Sequence, residues 1–191
     1  MPAALISKHE VLDRLTAAFR AHGYEGTTLA RLSKATGLVR ASLYHYFPGG
    51  KEEMARAVLA HAGERLEALV LAPLEAEDAP PAECLARMVE GLDAFYSGGA
   101  QACLLGLLSV GDAGPLFAQE VRTALDRWIG LLARVLAEAG LERRVAHRRA
   151  EDAVGAVQGA LVMARAYGVK TPFARLIKDL PDRLLAGASL S

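Results

Sequence analysis

Apolar residues recur along most of the chain at the three- and four-residue spacing of amphipathic helices. Glycines at positions such as Gly23, Gly37 and Gly140 end these stretches. The pattern predicts helices over residues 7–22, 27–36, 38–47, 51–71, 81–96, 101–109, 115–139, 144–167 and 172–186. Pro181 should kink or break the last one, because proline lacks the N–H that a helix interior needs. The predicted fold class is all-α.

Residues 27–51 contain two short helices joined by a tight turn. Thr27 or Thr28 can cap the first helix, because a threonine hydroxyl accepts a hydrogen bond from an amide of the opening turn. Gly37 can take the left-handed conformation that closes this helix. Its apolar edge consists of Leu29, Leu32 and Ala35.

The second short helix has an apolar side and a polar side. The apolar side, which should anchor it, consists of Leu38, Val39, Leu43, Tyr46 and Phe47. The outward side consists of Arg40, Ser42, Tyr44 and His45. Pro48-Gly49-Gly50 ends the helix. Together the two helices predict a helix-turn-helix, whose second helix can enter the major groove of DNA.

The candidate DNA contacts are Thr28, Arg40, Ser42, Tyr44, His45 and Lys51. Arg40 suits a bidentate contact with guanine, or else a phosphate. Lys51 would open the next helix, where its ammonium and the helix amides both favour a phosphate. The polar residues between them suit phosphate oxygens or base edges. Plain exposure is the alternative for each, and Tyr44 could also pack between helices.

The segment Leu43-Tyr44-His45-Tyr46-Phe47, followed by Lys51, closely resembles the N-terminal signature of the TetR family of bacterial transcriptional regulators. The resemblance runs from Ser7 to about Leu59. It implies an all-helical homodimer that represses transcription by binding operator DNA. It also implies that a small molecule entering the C-terminal domain releases the repressor.

Two further segments resemble the branch of this family that includes LmrA and YxaF. Phe47-Pro48-Gly49-Gly50-Lys51 contains one glycine more than most members, and Gln101-Ala102-Cys103-Leu104-Leu105-Gly106 resembles the C-terminal domain of that branch. Ala41 replaces a glycine that many members carry.

Two domains are predicted. Residues 1–50 form a three-helix DNA-binding head, and residues 51–191 form a ligand-binding and dimerisation domain that begins with a connecting helix at 51–71. The first helix should contribute Val11, Leu12, Leu15, Ala18 and Phe19 to the head. So small a head would be marginal alone, so it should pack against the connecting helix.

The C-terminal domain should hold the effector, which the resemblance implies is apolar or aromatic. The candidate ligand-binding residues are Met88, Leu92, Phe95, Tyr96, Leu104, Leu107, Phe117, Val121, Trp128, Met163 and Tyr167. Ordinary core packing is the alternative for each, and Trp128 could instead lie on the dimer side. The helices at about 144–167 and 172–186 should pair as a four-helix bundle in the homodimer, because small residues at Gly155, Ala156, Gly159 and Ala160 allow close approach.

Charge and composition say less about function than the helix-turn-helix pattern does. The formal net charge is zero, but residues 1–51 carry +4 and the remainder −4, which fits an anion-binding head. Cys84 and Cys103 have no CxxC spacing and should be buried thiols. The histidines at 9, 22, 45, 61 and 147 show no metal-ligand spacing, and no catalytic motif is present. We therefore expect no enzyme activity, no cofactor and no metal.

No signal sequence and no run of about 18 apolar residues is present, so a soluble cytoplasmic protein with no membrane partner is expected. The alternative function is a helical small-molecule-binding or enzyme domain whose head is purely structural.

Overall fold

The computed structural model describes residues 6–188, and within that range its regular structure is entirely helical. The helices are α1 (Lys8–Gly26), α2 (Leu29–Thr36), α3 (Arg40–Tyr46), α4 (Gly50–Leu66), α5 (Pro81–Phe95), α6 (Leu104–Leu107), α7 (Ala113–Glu138), α8 (Arg143–Tyr167) and α9 (Thr171–Leu185). The all-α prediction is confirmed. The helix predicted at 101–109 is reduced to the four residues of α6.

The chain divides into two compact units. The head unit contains the residues up to Glu64 together with Leu104–Ala118, and the body unit contains Arg65–Cys103 together with the residues from Gln119 onward. The head unit therefore includes most of α4. Met54, Ala55 and Val58 of α4 have no exposed surface.

The start of α7 belongs to the head unit because polar contacts fix it there. The Glu25 carboxylate accepts a hydrogen bond from the Ala113 N–H at 3.2 Å. Arg56 of α4 donates to the Leu116 carbonyl at 2.8 Å, and its guanidinium lies 5.2 Å from the Phe117 ring centre. Hydrogen bonds from its own backbone N–H and from Ala113 and Asp112, with the nearby charge of Lys51, lower the pKa of Glu25.

Helix α1 begins and breaks at the predicted residues. The Ser7 hydroxyl caps it by accepting from the Glu10 N–H at 3.2 Å, and the Glu10 carboxylate pairs with Arg14. Gly23 has φ 68°, which interrupts the helix before a further turn ends at Gly26. Thr27 is fully buried, and its hydroxyl donates to the Gly23 carbonyl at 2.5 Å.

The connecting helix does not continue regularly to Leu71 as predicted. After Leu66 it passes into a π-helical turn at Glu67–Leu71 and then a 3-10 turn at Ala72–Glu75. The stretch between the predicted helices 51–71 and 81–96 therefore begins as a helical turn. Pro73 lacks a backbone N–H, which favours the change of winding. Arg127 binds both ends of this segment, at 2.6 Å from Glu67 and 3.1 Å from Glu75.

The π-helical turn packs directly on the backbone of α5. A Cβ atom placed on Gly91 would lie 1.8 Å from the Leu69 carbonyl oxygen, so only glycine fits there. The hydrogen bonds from Arg127 lower the pKa of Glu67, which keeps this carboxylate ionised beside the turn. The irregular end of the connecting helix is therefore held by two helices, α5 through Gly91 and α7 through Arg127.

Helices α8 and α9 pack against each other in the body unit. The predicted break at Pro181 is absent, because α9 continues through it to Leu185. Leu180 and Leu184 are buried on either side of the proline and hold the helix in place. Arg149 of α8 donates to the Leu184 and Ala186 carbonyls at 2.8 and 2.6 Å, which satisfies the last turn of α9.

Replacing Gly91 with alanine should lower the free energy of unfolding by about 1–3 kcal/mol or more, because overpacking in a tight contact costs this much and the added methyl meets backbone. Chemical denaturation at fixed protein concentration measures the change. Gly63→Ala is the matched control, since a Cβ there meets no atom of the described chain within 4 Å; it should stabilise α4 by about 0.5–1 kcal/mol. Equal stability of the two variants would contradict the close contact.

Candidate nucleic-acid interface

The turn between α2 and α3 is fixed by local hydrogen bonds. Thr28, rather than Thr27, caps α2 by accepting from the Arg31 N–H at 3.3 Å. The Thr36 hydroxyl donates to the Leu32 carbonyl at 2.8 Å and accepts from the Leu38 N–H at 3.3 Å. Gly37 then closes α2 with φ 75°, a left-handed conformation that side chains disfavour. This geometry sets the angle at which α3 leaves the turn.

Arg14 connects the first helix to the same turn. Its guanidinium donates to the Thr36 carbonyl at 3.0 Å and pairs with Glu10 at 2.5 Å. The carbonyl is one of the last in α2, where a cation is favoured by both the hydrogen bond and the helix dipole. The end of α2 is thereby held against α1.

Helix α3 has only seven residues, and two buried side chains anchor it. Leu43 has no exposed surface and Phe47 has 2%. Arg40 and His45 are exposed, Tyr44 is 44% exposed, and Ser42 is half-buried. The outward side predicted from the sequence is therefore on the surface for the first three of these residues, and partly so for Ser42.

One residue of the predicted apolar side is misplaced. Val39 is 67% exposed, so its assignment to the anchoring side is wrong. It precedes the helix as the N-cap residue with extended backbone angles, and its side chain therefore does not follow the buried face of α3. Leu38 and Tyr46 are half-buried.

The glycine pair after α3 places Tyr44 and the start of α4 together. The Tyr44 ring lies 3.5 Å from the position that a Cβ on Gly50 would occupy. The Glu53 carboxylate accepts from the Gly49 N–H at 2.5 Å, which satisfies an amide at the opening of α4. Tyr44 thus packs against the backbone at Gly50 and keeps an exposed portion that can contact DNA.

Lys51 lies in the first turn of α4 and is half-buried. Its ammonium donates to the Tyr24 carbonyl at 3.1 Å and lies 4.1 Å from the centre of the Tyr24 ring. Burial raises the pKa of Tyr24, and the carboxylates of Glu52 and Glu25 raise it further. The carbonyl uses one of the three ammonium protons, so the Lys51 site can still donate to an oxygen of a bound anion.

Two cations beside α3 were missed by the sequence interpretation. Arg31 and Lys34 are exposed on α2, three residues apart on one face. The signal for them lies in the polar positions of α2 opposite its apolar edge. Arg31, Lys34 and Arg40 are thus exposed cations of the two helices, and cations of this kind favour a phosphate backbone.

The predicted ligand-binding residues fall into three groups. Those buried in the body unit are Met88, Leu92, Phe95, Tyr96, Val121 and Trp128. Those in the head unit are Leu104, Leu107 and Phe117. Met163 and Tyr167 are 43% and 68% exposed, so they do not line an enclosed site in this protomer.

The buried aromatic residues of the body unit pack as a cluster. The Tyr96 ring contacts Phe95 and Phe173 with centroid distances of 4.8 and 5.8 Å, and its hydroxyl lies 3.3 Å from the Cys103 sulfur. Trp128 is 1% exposed, which favours the interior over the dimer side. Its indole N–H finds no hydrogen-bond partner among residues 6–188.

Surface clefts in the described part of the body unit include two beside α8. One, of about 700 Å³, lies where α7 ends and α8 begins, and includes Arg134, Leu141 and His147. The other, of about 240 Å³, lies between α8 and α9 and includes Gly159, Met163 and Arg175. Of the predicted ligand-binding residues, only Met163 lines either cleft.

Across residues 6–188, every helix is too short or too polar to cross a membrane.

Two family models match this chain. Residues 11–58 match the model of bacterial regulatory proteins of the tetR family, and residues 81–179 match that of the LmrA/YxaF-like transcriptional regulator C-terminal domain. The chain is 25% identical over 181 residues to the uncharacterized HTH-type regulator YxaF of Bacillus subtilis, covering 92% of this chain and 93% of YxaF. It is 25% identical over 183 residues to the regulator LmrA of the same organism, covering 93% and 96%.

Solved structures agree with the fold. A TetR regulator from Legionella pneumophila superposes with a TM-score of 0.78 at 20% identity, covering 96% of this chain and 98% of that one. A cysteine mutant of the TetR-family regulator CifR, solved with 26-bp operator DNA, gives a TM-score of 0.75 at 22% identity, covering 98% and 100%. At these identities the likeness shows the fold alone.

The helix-turn-helix head and the matched family models define a DNA-binding transcriptional regulator. Its relatives are regulators and not enzymes, so the alternative of an enzyme domain with a structural head is set aside. The chain belongs to the TetR family, in its LmrA/YxaF-like branch.

Proposed function

We propose that the protein is a repressor that binds operator DNA as a homodimer in the cytoplasm and is released by a small apolar or aromatic effector. The observation that carries the proposal is the exposure of Arg40, Tyr44 and His45 on a helix that Leu43 and Phe47 anchor. A short helix so held presents its polar side to the major groove. The operator complex of CifR shows that this fold can bind DNA.

The candidate DNA-contacting residues differ in the part of the DNA that each suits. Arg40, the first residue of α3, reads a guanine edge with its planar guanidinium. Thr28 is the N-cap of α2 and Lys51 lies in the first turn of α4, where phosphates are favoured by helix amides. Tyr44 and His45, with Ser42 beside them, contact phosphates or base edges.

The dimer is proposed to form through α8 and α9. Gly155 and Gly159 are exposed, and no described atom lies within 4 Å of a Cβ placed on either. Large apolar side chains continue this face toward the end of α8 and beyond it: Val162, Met163, Tyr167 and Val169. An exposed apolar stretch next to small residues suits a second copy of the same helix pair.

The effector is proposed to bind in the body unit near Trp128. The indole N–H of Trp128 and the side-chain amide of Gln158 are buried donors that lack partners in the described structure. A buried donor left unpaired costs about 1–3 kcal/mol, so an aromatic compound with an acceptor oxygen would bind more tightly than a hydrocarbon. By linkage, such a compound releases DNA only if it prefers the DNA-incompetent state.

The test of operator recognition is Arg40→Ala. We expect operator affinity to fall by about 10- to 100-fold, because a bidentate arginine–guanine pair contributes about 1–3 kcal/mol of discrimination, with little change on random DNA. Fluorescence anisotropy with DNA from upstream of the gene and a scrambled duplex measures both. Arg122→Ala, an exposed arginine of α7, is the control. An equal loss on both duplexes would make Arg40 a phosphate contact, and no loss would remove it from the interface.

Lys51→Ala should weaken binding to both duplexes about equally and reduce the slope of log affinity against log salt concentration by roughly 1. Because Lys51 also bonds to the Tyr24 carbonyl, thermal unfolding must first show that the variant is folded. Lys51→Arg keeps the charge and should keep the slope. A folded Lys51→Ala variant with an unchanged slope would exclude a phosphate contact.

Trp128→Phe should weaken binding of aromatic carbonyl compounds by about 2- to 10-fold, the value of one neutral hydrogen bond. The probes are pairs of aromatic compounds that differ only in a carbonyl oxygen, such as acetophenone and ethylbenzene. Trp128 is the sole tryptophan of the sequence, so its emission reports binding to the wild type, and calorimetry compares the variant. Equal losses for both members of a pair would show that Trp128 contributes only volume. Binding that leaves operator affinity unchanged would contradict the effector role.

A further inference from the structure

Three side chains that commonly bind metal ions lie together in the head unit. His9 and Asp13 are one turn apart on the same face of α1, and His61 faces them from α4. The His61 Nε2 atom lies 2.8 Å from one Asp13 oxygen, and the His9 Nε2 atom lies 3.6 Å from the other. The sequence gives no sign of this group, because 48 residues separate Asp13 from His61.

The spacing of the donor atoms suits a single ion. All three lie within 4.8 Å of one another, and the two imidazole rings meet edge to face with centroids 4.7 Å apart. Ligands at about 2.0–2.1 Å around a tetrahedral ion are separated by about 3.3 Å. The two histidine–Asp13 distances of 2.8 and 3.6 Å, each to a different oxygen of the carboxylate, lie on either side of this value.

Burial differs among the three residues in a way that allows an ion to enter. The His61 side chain is 5% exposed, so the packing of α4 fixes its position. The His9 and Asp13 side chains are 74% and 45% exposed, so they can adjust around an ion that arrives from solvent. One fixed ligand and two adjustable ligands form an accessible site.

The donor set selects the class of ion. Two imidazole nitrogens and one carboxylate suit zinc and the neighbouring divalent transition metals, whereas magnesium and calcium prefer oxygen ligands. Three protein ligands leave one tetrahedral position for water.

We propose that His9, Asp13 and His61 bind one divalent transition-metal ion, with Zn²⁺ as the representative, and that this ion joins α1 to α4 in the head. The body unit contains a natural comparison, His147 and Glu151, which are also four residues apart on one helix with an N–O distance of 3.6 Å. That pair belongs to none of the three-ligand groups in the described residues. It therefore tests whether a histidine and a carboxylate four residues apart are enough to bind the metal ion.

The experiment uses the full-length protein without an affinity tag, first stripped of metal. Zn²⁺ is titrated by calorimetry, Co²⁺ binding is followed through its visible ligand-field bands, and thermal unfolding is measured with and without Zn²⁺. We expect one ion per chain, tetrahedral Co²⁺ bands, and a thermal midpoint that rises with Zn²⁺. His9→Ala and His61→Gln should each lower the Zn²⁺ affinity at least tenfold, and His147→Ala should change nothing.

His9→Ala is the decisive variant, because its exposed side chain can be removed without disturbing the core, whereas His61→Gln alters a buried position. Undiminished affinity in His9→Ala, loss of the ion in His147→Ala, or no binding at one equivalent would each overturn the proposal. In the last case the group consists only of the contacts that Asp13 makes with His61 and His9. None of these measurements involves DNA, so the result is independent of the proposed repressor function.

Discussion

The burial of Leu43 and Phe47 is the interaction on which the DNA-binding surface depends. A seven-residue helix has no stability of its own in water, because nucleation costs more than so few hydrogen bonds return. Helix α3 therefore exists only while these two side chains remain in the core of the head. The direction of Arg40 and the partial exposure of Tyr44 follow from that anchor and from the Gly37 turn before it.

Charged side chains fix the head by bonding to the backbone at helix ends. Arg14 donates to the end of α2, Lys51 to the carbonyl of Tyr24, and Arg56 to the first turn of α7, while Glu25 accepts from its opening amide. The Thr36 carbonyl and the Ala113 N–H are terminal groups that their own helices leave unpaired. The net positive charge of the first 51 residues thus serves two purposes, since some cations hold the fold and others remain on its surface.

The sequence predicted the features that depend on neighbouring residues. The Gly37 turn and the anchoring by Leu43 and Phe47 follow from local pattern and agree with the prediction. Features that depend on distant residues were missed. The irregular end of the connecting helix depends on Gly91 and on Arg127, which is 60 residues from Glu67. Helical spacing picked out body residues of which Phe95, Tyr96 and Trp128 are buried while Tyr167 is exposed. Spacing alone does not distinguish a binding cavity from close packing.

The contact between Gly91 and the Leu69 carbonyl has a mechanical consequence. Backbone meets backbone there, so no flexible side chain lies between the two segments to absorb a displacement. Any rotation of the π-helical turn must therefore carry α5 with it as one rigid piece. A compound that displaced α5 would therefore also displace the π-helical turn at the end of the connecting helix.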